Sequence, residues 1–172
     1  EDGEIKWHKD HLADGVLTST PGYSNTDWHN YGFRSAYDIF IDRLTLTASL
    51  DSWSEGGATE NINENIGKKV WGYNGRFFNT APYAAARYDF GLGQDWTLTP
   101  SAGARYYLSN EYNNEWAPCA ALTLERDGLS LFVSHARGVH YPGIYMRGTS
   151  PRTWRTLDAE IMDTTEAGTH LE

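Results

Sequence analysis

Residues 116–139 read Trp-Ala-Pro-Cys-Ala-Ala-Leu-Thr-Leu-Glu-Arg, then Asp127-Gly128, then Leu-Ser-Leu-Phe-Val-Ser-His-Ala-Arg-Gly-Val. Pro118, Ala120, Leu122 and Leu124 recur at every second position, and so do Leu129, Leu131 and Val133. Alternate side chains of an extended chain point to opposite faces, so this period gathers apolar groups on one face of a strand. Asp-Gly between two such runs tolerates the positive φ angles of a tight hairpin turn. The stretch predicts an antiparallel β-hairpin.

The same alternation extends outward. Trp96, Leu98, Ala102, Ala104, Tyr106 and Leu108 oppose Thr97, Thr99, Ser101, Arg105 and Ser109, which predicts a strand over 96–109. Pro82, Ala84, Ala86, Tyr88 and Phe90 predict another over 76–90, joined through a turn at 91–95. Over 31–53 the apolar parity runs through Tyr31, Phe33, Tyr37, Ile39 and Ile41. It then switches to Leu44, Leu46, Ala48 and Leu50, with a tight turn at Asp42-Arg43. Ile5 to His8 reads as a short strand end, and Ser19 to Asn30 as a loop. Residues 154–172 suggest two further strand segments, the last from Glu166 to Glu172. Three polar stretches, 54–75, 110–115 and 140–153, read as longer loops.

Short turns thus alternate with long loops, the layout of an outer-membrane barrel with its tight periplasmic turns and longer extracellular loops. Several runs reach the ~9–11 residues that a tilted strand needs to cross a bilayer. Trp96, Tyr106, Trp116 and Trp154 stand near strand ends, where an interfacial aromatic girdle sits. The expected fold class is all-β: antiparallel transmembrane β-barrel strands over 1–172, a segment of a larger barrel. A soluble β-sandwich or small barrel that binds carbohydrate or lipid through surface aromatics is the alternative, since it shares the alternation.

Composition narrows the function. The 172 residues carry 14 Lys+Arg against 23 Asp+Glu, a formal charge of −9, which disfavours nucleic acid as a partner. A single cysteine, Cys119, excludes an internal disulfide. The opening Glu-Asp-Gly-Glu has no basic, then apolar, leader pattern.

Residues 116–168 resemble the barrel of TonB-dependent outer-membrane receptors. The resemblance rests on Pro118, the Leu129-Ser-Leu-Phe-Val-Ser134 strand, Arg137-Gly138 and Tyr141-Pro142-Gly143. A loop then leads to Leu157, Glu160, Glu166 and Gly168. The preceding hairpin strand, Trp96 to Tyr107, also fits. Before residue 60 the likeness is weak. Such receptors form barrels of about 22 strands with a plugged lumen. The resemblance therefore implies one part of a receptor in the bacterial outer membrane. It would take up a scarce nutrient such as a ferric siderophore, and its TonB partner would act through a plug domain absent from these residues. Outer-membrane lipid is then the second partner. The final Leu171-Glu172 departs from the terminal aromatic of a complete barrel.

Within that picture Arg87, Asp89 and Arg105 lie on polar parities and are expected to face the lumen. His135 and Arg137 share parity with the apolar Leu129 to Val133. They belong near a membrane edge or beyond a bulge, because a charge at the midplane costs ~2–4 kcal/mol. Arg137, His140, Tyr141, Tyr145 and Arg147 are the candidate substrate contacts: Arg binds carboxylate or catecholate oxygens through its fork, and Tyr stacks. No cofactor is called for. His8 and His11 with Asp10 and Asp14 resemble a metal cluster only in composition, because no helix brings them to one face. Ser134 and His135 are adjacent and point to opposite faces, so they form no catalytic dyad. His140 or His170 acting as a base for some serine is the remaining enzymatic reading, and no motif supports it.

Overall fold

A computed structural model describes residues 2–13, 16–65, 67–143, 146 and 156–171. Among these residues it contains nine strands: β1 Asp2–Ala13, β2 Val16–Ile41, β3 Leu44–Asn63, β4 Lys68–Tyr88, β5 Phe90–Gly93, β6 Trp96–Ser109, β7 Glu115–Arg126, β8 Leu129–His140 and β9 Glu160–Leu171. They form one antiparallel sheet in the order β1-β2-β3-β4-β6-β7-β8-β9, and β5 pairs with β6. The all-β antiparallel expectation is met.

Turn chemistry explains where the strands reverse. Asp127 and Gly128 have φ of 44° and 81°, the paired positive values of a tight hairpin turn. Asp42 at φ 52° makes the β2–β3 turn, and Gln94 and Asp95 at 52° and 64° make the turn into β6. Asp42 and Asp95 are residues whose short polar side chains tolerate this region better than most.

Where two strand segments are expected over 154–172, the described residues hold one, β9 from Glu160, and two loop expectations also give way. Residues 54–75 are not an irregular loop: β3 continues to Asn63 and β4 starts at Lys68. Ser19 to Asn30 is likewise strand, and β2 pairs with β1 from Ala13↔Val16 to Asp2↔Asp27. The ladder uses backbone groups alone, so a strand polar on both faces carries no period-2 signal. Glycines within 54–75 favour a loop by composition. Gly57 instead permits close strand approach, since a Cβ there would lie 2.4 Å from the Asp27 carbonyl oxygen. The loop at 110–115 survives as 110–114, and β8 ends at His140 as the third loop begins. His8 and His11 occupy positions of opposite parity in β1, opposite Pro21 and Thr18.

The chain divides into two compact units. One comprises Glu1–Tyr31, Ser54–Phe78 and Pro142–Leu157. Within it Phe77 is fully buried, Thr26 and Thr59 hydroxyls meet at 3.3 Å, and Arg76 lies over the Tyr31 ring. The other comprises Gly32–Trp53, Asn79–Tyr141 and Asp158–Glu172, and it carries the candidate site.

In this second unit the register sorts side chains into two faces, because directly opposed residues share a face. One face joins Leu98, Pro100, Ala102, Ala104 and Tyr106 of β6 to Leu124, Leu122, Ala120, Pro118 and Trp116 of β7. It continues through Leu131 and Val133 of β8. The other face joins Tyr83, Ala85 and Arg87 of β4 to Arg105, Gly103 and Ser101 of β6, and then to Ala117, Cys119 and Ala121 of β7. Leu122, Leu131, Val133 and Trp116 on the apolar face are all exposed, whereas Ala117 on the polar face is buried. Among the described residues of this unit the buried apolar side chains are only Ala81 and Ala117. Its apolar groups lie outside rather than in a core.

Gly103 is a tight point of the polar face. A Cβ there would lie 2.6 Å from the Ala85 Cβ and 2.8 Å from the Ala84 carbonyl oxygen. Where the backbone permits, replacing glycine by alanine stabilises by ~0.4–1 kcal/mol. At Gly103 the sign reverses: Gly103→Ala is expected to destabilise by about 1–3 kcal/mol through overpacking. A urea titration of the variant that showed equal or greater stability would contradict this packing.

Candidate functional site

The polar face of the second unit is organised around Asp51 of β3. This residue is 6 % exposed. Arg34 of β2 donates through Nε to one carboxylate oxygen at 2.8 Å, and Arg105 of β6 donates through Nη1 to the other. Arg34 is a neighbour by topology, since β2 and β3 are adjacent. Arg105 is not, because β4 lies between β3 and β6. Its guanidinium passes over the Tyr83 ring, 5.5 Å from the centroid, to reach Asp51. Two strand spacings are ~9.6 Å, so a contact of this span joins side chains that lean together over the intervening strand. The Tyr83 hydroxyl meets the Cys119 sulfur at 3.8 Å.

These groups border a hollow with a cavity volume of ≈ 570 Å³, lined by Arg34, Asp51, Trp53, Arg105 and Tyr107 among others. That size falls in the ~300–1,000 Å³ range of small-molecule sites. Two guanidiniums against one carboxylate leave the cluster one positive charge in excess. The apolar Trp53 and Tyr107 sit beside it. Fixed donors beside aromatic walls can orient an anion, but no nucleophile–base pair among these residues suggests covalent chemistry.

Arg105 belongs to the hub just described. Arg87 and Asp89 share the polar face with it. Asp89 accepts from the Thr99 hydroxyl at 2.9 Å and from Arg87 at 3.4 Å. Arg87 lines a separate hollow with Tyr83, Ser101 and Thr47. Arg137 lies with the apolar parity of β8, and its fork closes on Asp163 of β9 at 2.9 and 3.0 Å. His135 Nδ1 meets the Thr165 hydroxyl at 2.8 Å. The β8–β9 register runs unbroken through both residues, so no bulge displaces them there. The β7–β8 register runs from Arg126↔Leu129 to Cys119↔Ala136, and Arg137 follows its last rung. His140 faces Glu160 at 3.9 Å and both are exposed. His170 stands opposite Ser130 in register. Tyr145 and Arg147 lie outside the described residues.

Tyr141 is more embedded than a free loop side chain. Its hydroxyl donates to the Asn113 carbonyl at 2.8 Å, and its ring stacks on Tyr112 at 5.4 Å with Tyr107 edge-on. It therefore ties the 110–114 loop to the end of β8. Burial, reinforced by the negative Glu115 nearby, pushes its phenol up to about 12. The ordinary value is 10.0. A phenol that holds its proton more tightly folded than unfolded contributes stability below the unfolded value and loses it as pH rises through the folded one. The tie should therefore weaken between about pH 10 and about pH 12. Beyond the base-catalysed rise common to all amides, exchange of the 110–114 amides is expected to accelerate further across that window in the parent, whereas Tyr141→Phe follows the common rise alone. An identical further acceleration in both proteins would remove Tyr141 from the account.

In the sequence Arg34 and Asp51 are only residues of the polar parity, opposite the Tyr31–Ile41 and Leu44–Leu50 sets. Charged side chains in the middle of otherwise alternating strands were the available signal, but their partnership is invisible at sequence separations of 17 and 54.

No family model matches the chain, and neither a curated protein nor a solved structure matches it. No described helix is long and apolar enough to cross a membrane, which bears only on helical spans.

Proposed function

We propose that the chain forms part of the wall of an outer-membrane receptor of the TonB-dependent kind, which captures a scarce nutrient such as a ferric siderophore. The observation that carries this reading is the inverted distribution in the second unit. Leu122, Leu131 and Val133 are exposed on one face, while Asp51 is buried on the other. A half-exposed large aliphatic side chain forgoes roughly 1 kcal/mol of burial in water. Several such losses are large against a net stability of ~5–15 kcal/mol. In hydrocarbon the penalty vanishes, and polar groups are wanted on the inner face instead. The resemblance of residues 116–168 to the receptor barrel supplies the class. In this reading the polar wall and the outer loops hold the ligand. A plug, drawn by TonB, opens the path. No residue of this chain is assigned covalent chemistry.

Electrophoresis in mild detergent, with and without boiling, tests the proposal on protein extracted from membranes. The expected result is faster migration of the unboiled sample, the mark of a closed, detergent-resistant barrel. Protein that stays folded and soluble without detergent, with no heat-dependent shift, would overturn it in favour of a soluble binding module.

A further inference from the structure

We propose that the hollow over Arg34, Asp51 and Arg105 takes a ligand bearing an ionised oxyanion, a carboxylate or a phosphate, held against the two guanidiniums. This rests on the receptor reading and narrows it: the cargo, or the part of it that meets this wall, is anionic rather than neutral. Each guanidinium has five donors. Among the described residues Asp51 is the only hydrogen-bond partner of either, and each spends one N–H on it. The Arg34 side chain is 77 % exposed although its partner's is 9 % exposed, so the Arg34 fork remains open to solvent while its Nε is anchored. The Arg105 side chain, at 27 %, is held beneath it against Tyr83.

The charge count favours an anion. Two cations share one anion, and among the described residues no second acidic side chain lines the hollow. The chain as a whole carries −9, so the positive excess is local to this cluster. An oxyanion entering the hollow would complete the charge balance that Asp51 completes only half-way. Planar forks bind carboxylate and phosphate oxygens with two parallel hydrogen bonds, which gives orientation as well as attraction. Trp53 and Tyr107 would flank the body of the ligand. A neutral ligand of the same size leaves the excess charge uncompensated and gains nothing from the second arginine.

The test uses detergent-solubilised protein titrated with citrate, with inorganic phosphate and with a neutral trihydroxamate chelate. Binding is followed by tryptophan fluorescence and confirmed by equilibrium dialysis. An anion is expected to bind and the neutral chelate is not. Arg34→Gln, a change at an exposed side chain, is expected to weaken the anion about 10- to 100-fold, the range of a lost charge-assisted hydrogen bond. Arg34→Lys keeps the charge without the fork and should fall between. Whether citrate or phosphate binds more tightly identifies the oxyanion. Equal binding of the neutral chelate, no anion binding at millimolar concentration, or an unchanged affinity in Arg34→Gln would each overturn the inference. The heat-dependent gel shift is read in parallel. A retained shift without anion binding removes this inference alone. Anion binding by a chain that is soluble without detergent keeps the hollow and removes the receptor reading.

Discussion

Leu122→Arg is expected to abolish or sharply reduce recovery of folded protein in lipid vesicles. Leu122 stands mid-strand on β7, opposite Pro100 of β6 and Val133 of β8 on the apolar face, and it is 42 % exposed. If that face meets water, a half-exposed leucine replaced by arginine changes stability by no more than ~0.5 kcal/mol. If it meets hydrocarbon near the midplane, the same change costs ~2–4 kcal/mol. The two cases differ by a factor of about 10 to 1,000 in the folding equilibrium, well outside experimental error. Ser134→Arg is the matched control. Ser134 lies on the opposite, polar face with Glu166 as its register partner, so a cation there gains a counter-charge. Urea titrations of both variants in vesicles should separate them clearly. Equal stabilities would mean that lipid does not cover the apolar face.

Asp51→Asn is expected to be the most damaging change on the polar face. Removing one partner from a buried ion pair costs ~3–5 kcal/mol, because the remaining charge stays desolvated. Here two cations lose their shared anion. Arg34 is largely exposed and its loss is screened, so the cost falls mainly on the more enclosed Arg105 and lies near the lower bound, about 3 kcal/mol. The partners predict an asymmetry. Arg34→Gln alone should move the denaturant midpoint far less than Asp51→Asn, because the Arg34 guanidinium stays in water. Asp51→Asn combined with Arg105→Gln should recover at least half of the single-variant loss, since removing both members of a pair leaves no stranded charge. Denaturant midpoints of the three variants and the parent measure this. A double variant no better than Asp51→Asn would show that Asp51 is needed for some contact other than Arg105.

Arg137 tempers the first of these expectations usefully. It has the parity of Leu129, Leu131 and Val133, yet it pairs with Asp163 on β9 through both arms of its fork. A charge on the apolar face is bearable where its partner shares that face and where it lies beyond the Cys119↔Ala136 rung. The candidate contacts chosen for their chemistry are thus partly occupied by the protein itself. Arg137 is engaged by Asp163, and Tyr141 by Asn113 and Tyr112. Chemical type was legible in the sequence, but availability was not.

Sequence by itself determined the part of this protein governed by local rules. The period-2 pattern marked β6 at 96–109, and Asp127-Gly128 and Asp42-Arg43 marked the reversals. The same parity put Arg105 and Asp51 opposite the leucines, because each follows from an alternation within one strand. The tertiary structure alone decided three things. It made 54–63 and 19–30 into strands, where polar groups on both faces leave no period to read while the backbone ladder forms regardless. It paired Arg137 with Asp163, which depends on the register of β9. It also brought Arg105 over β4 to the carboxylate that Arg34 holds, a meeting of three strands fixed by register and by how side chains lean across the sheet, neither of which is written in any one strand.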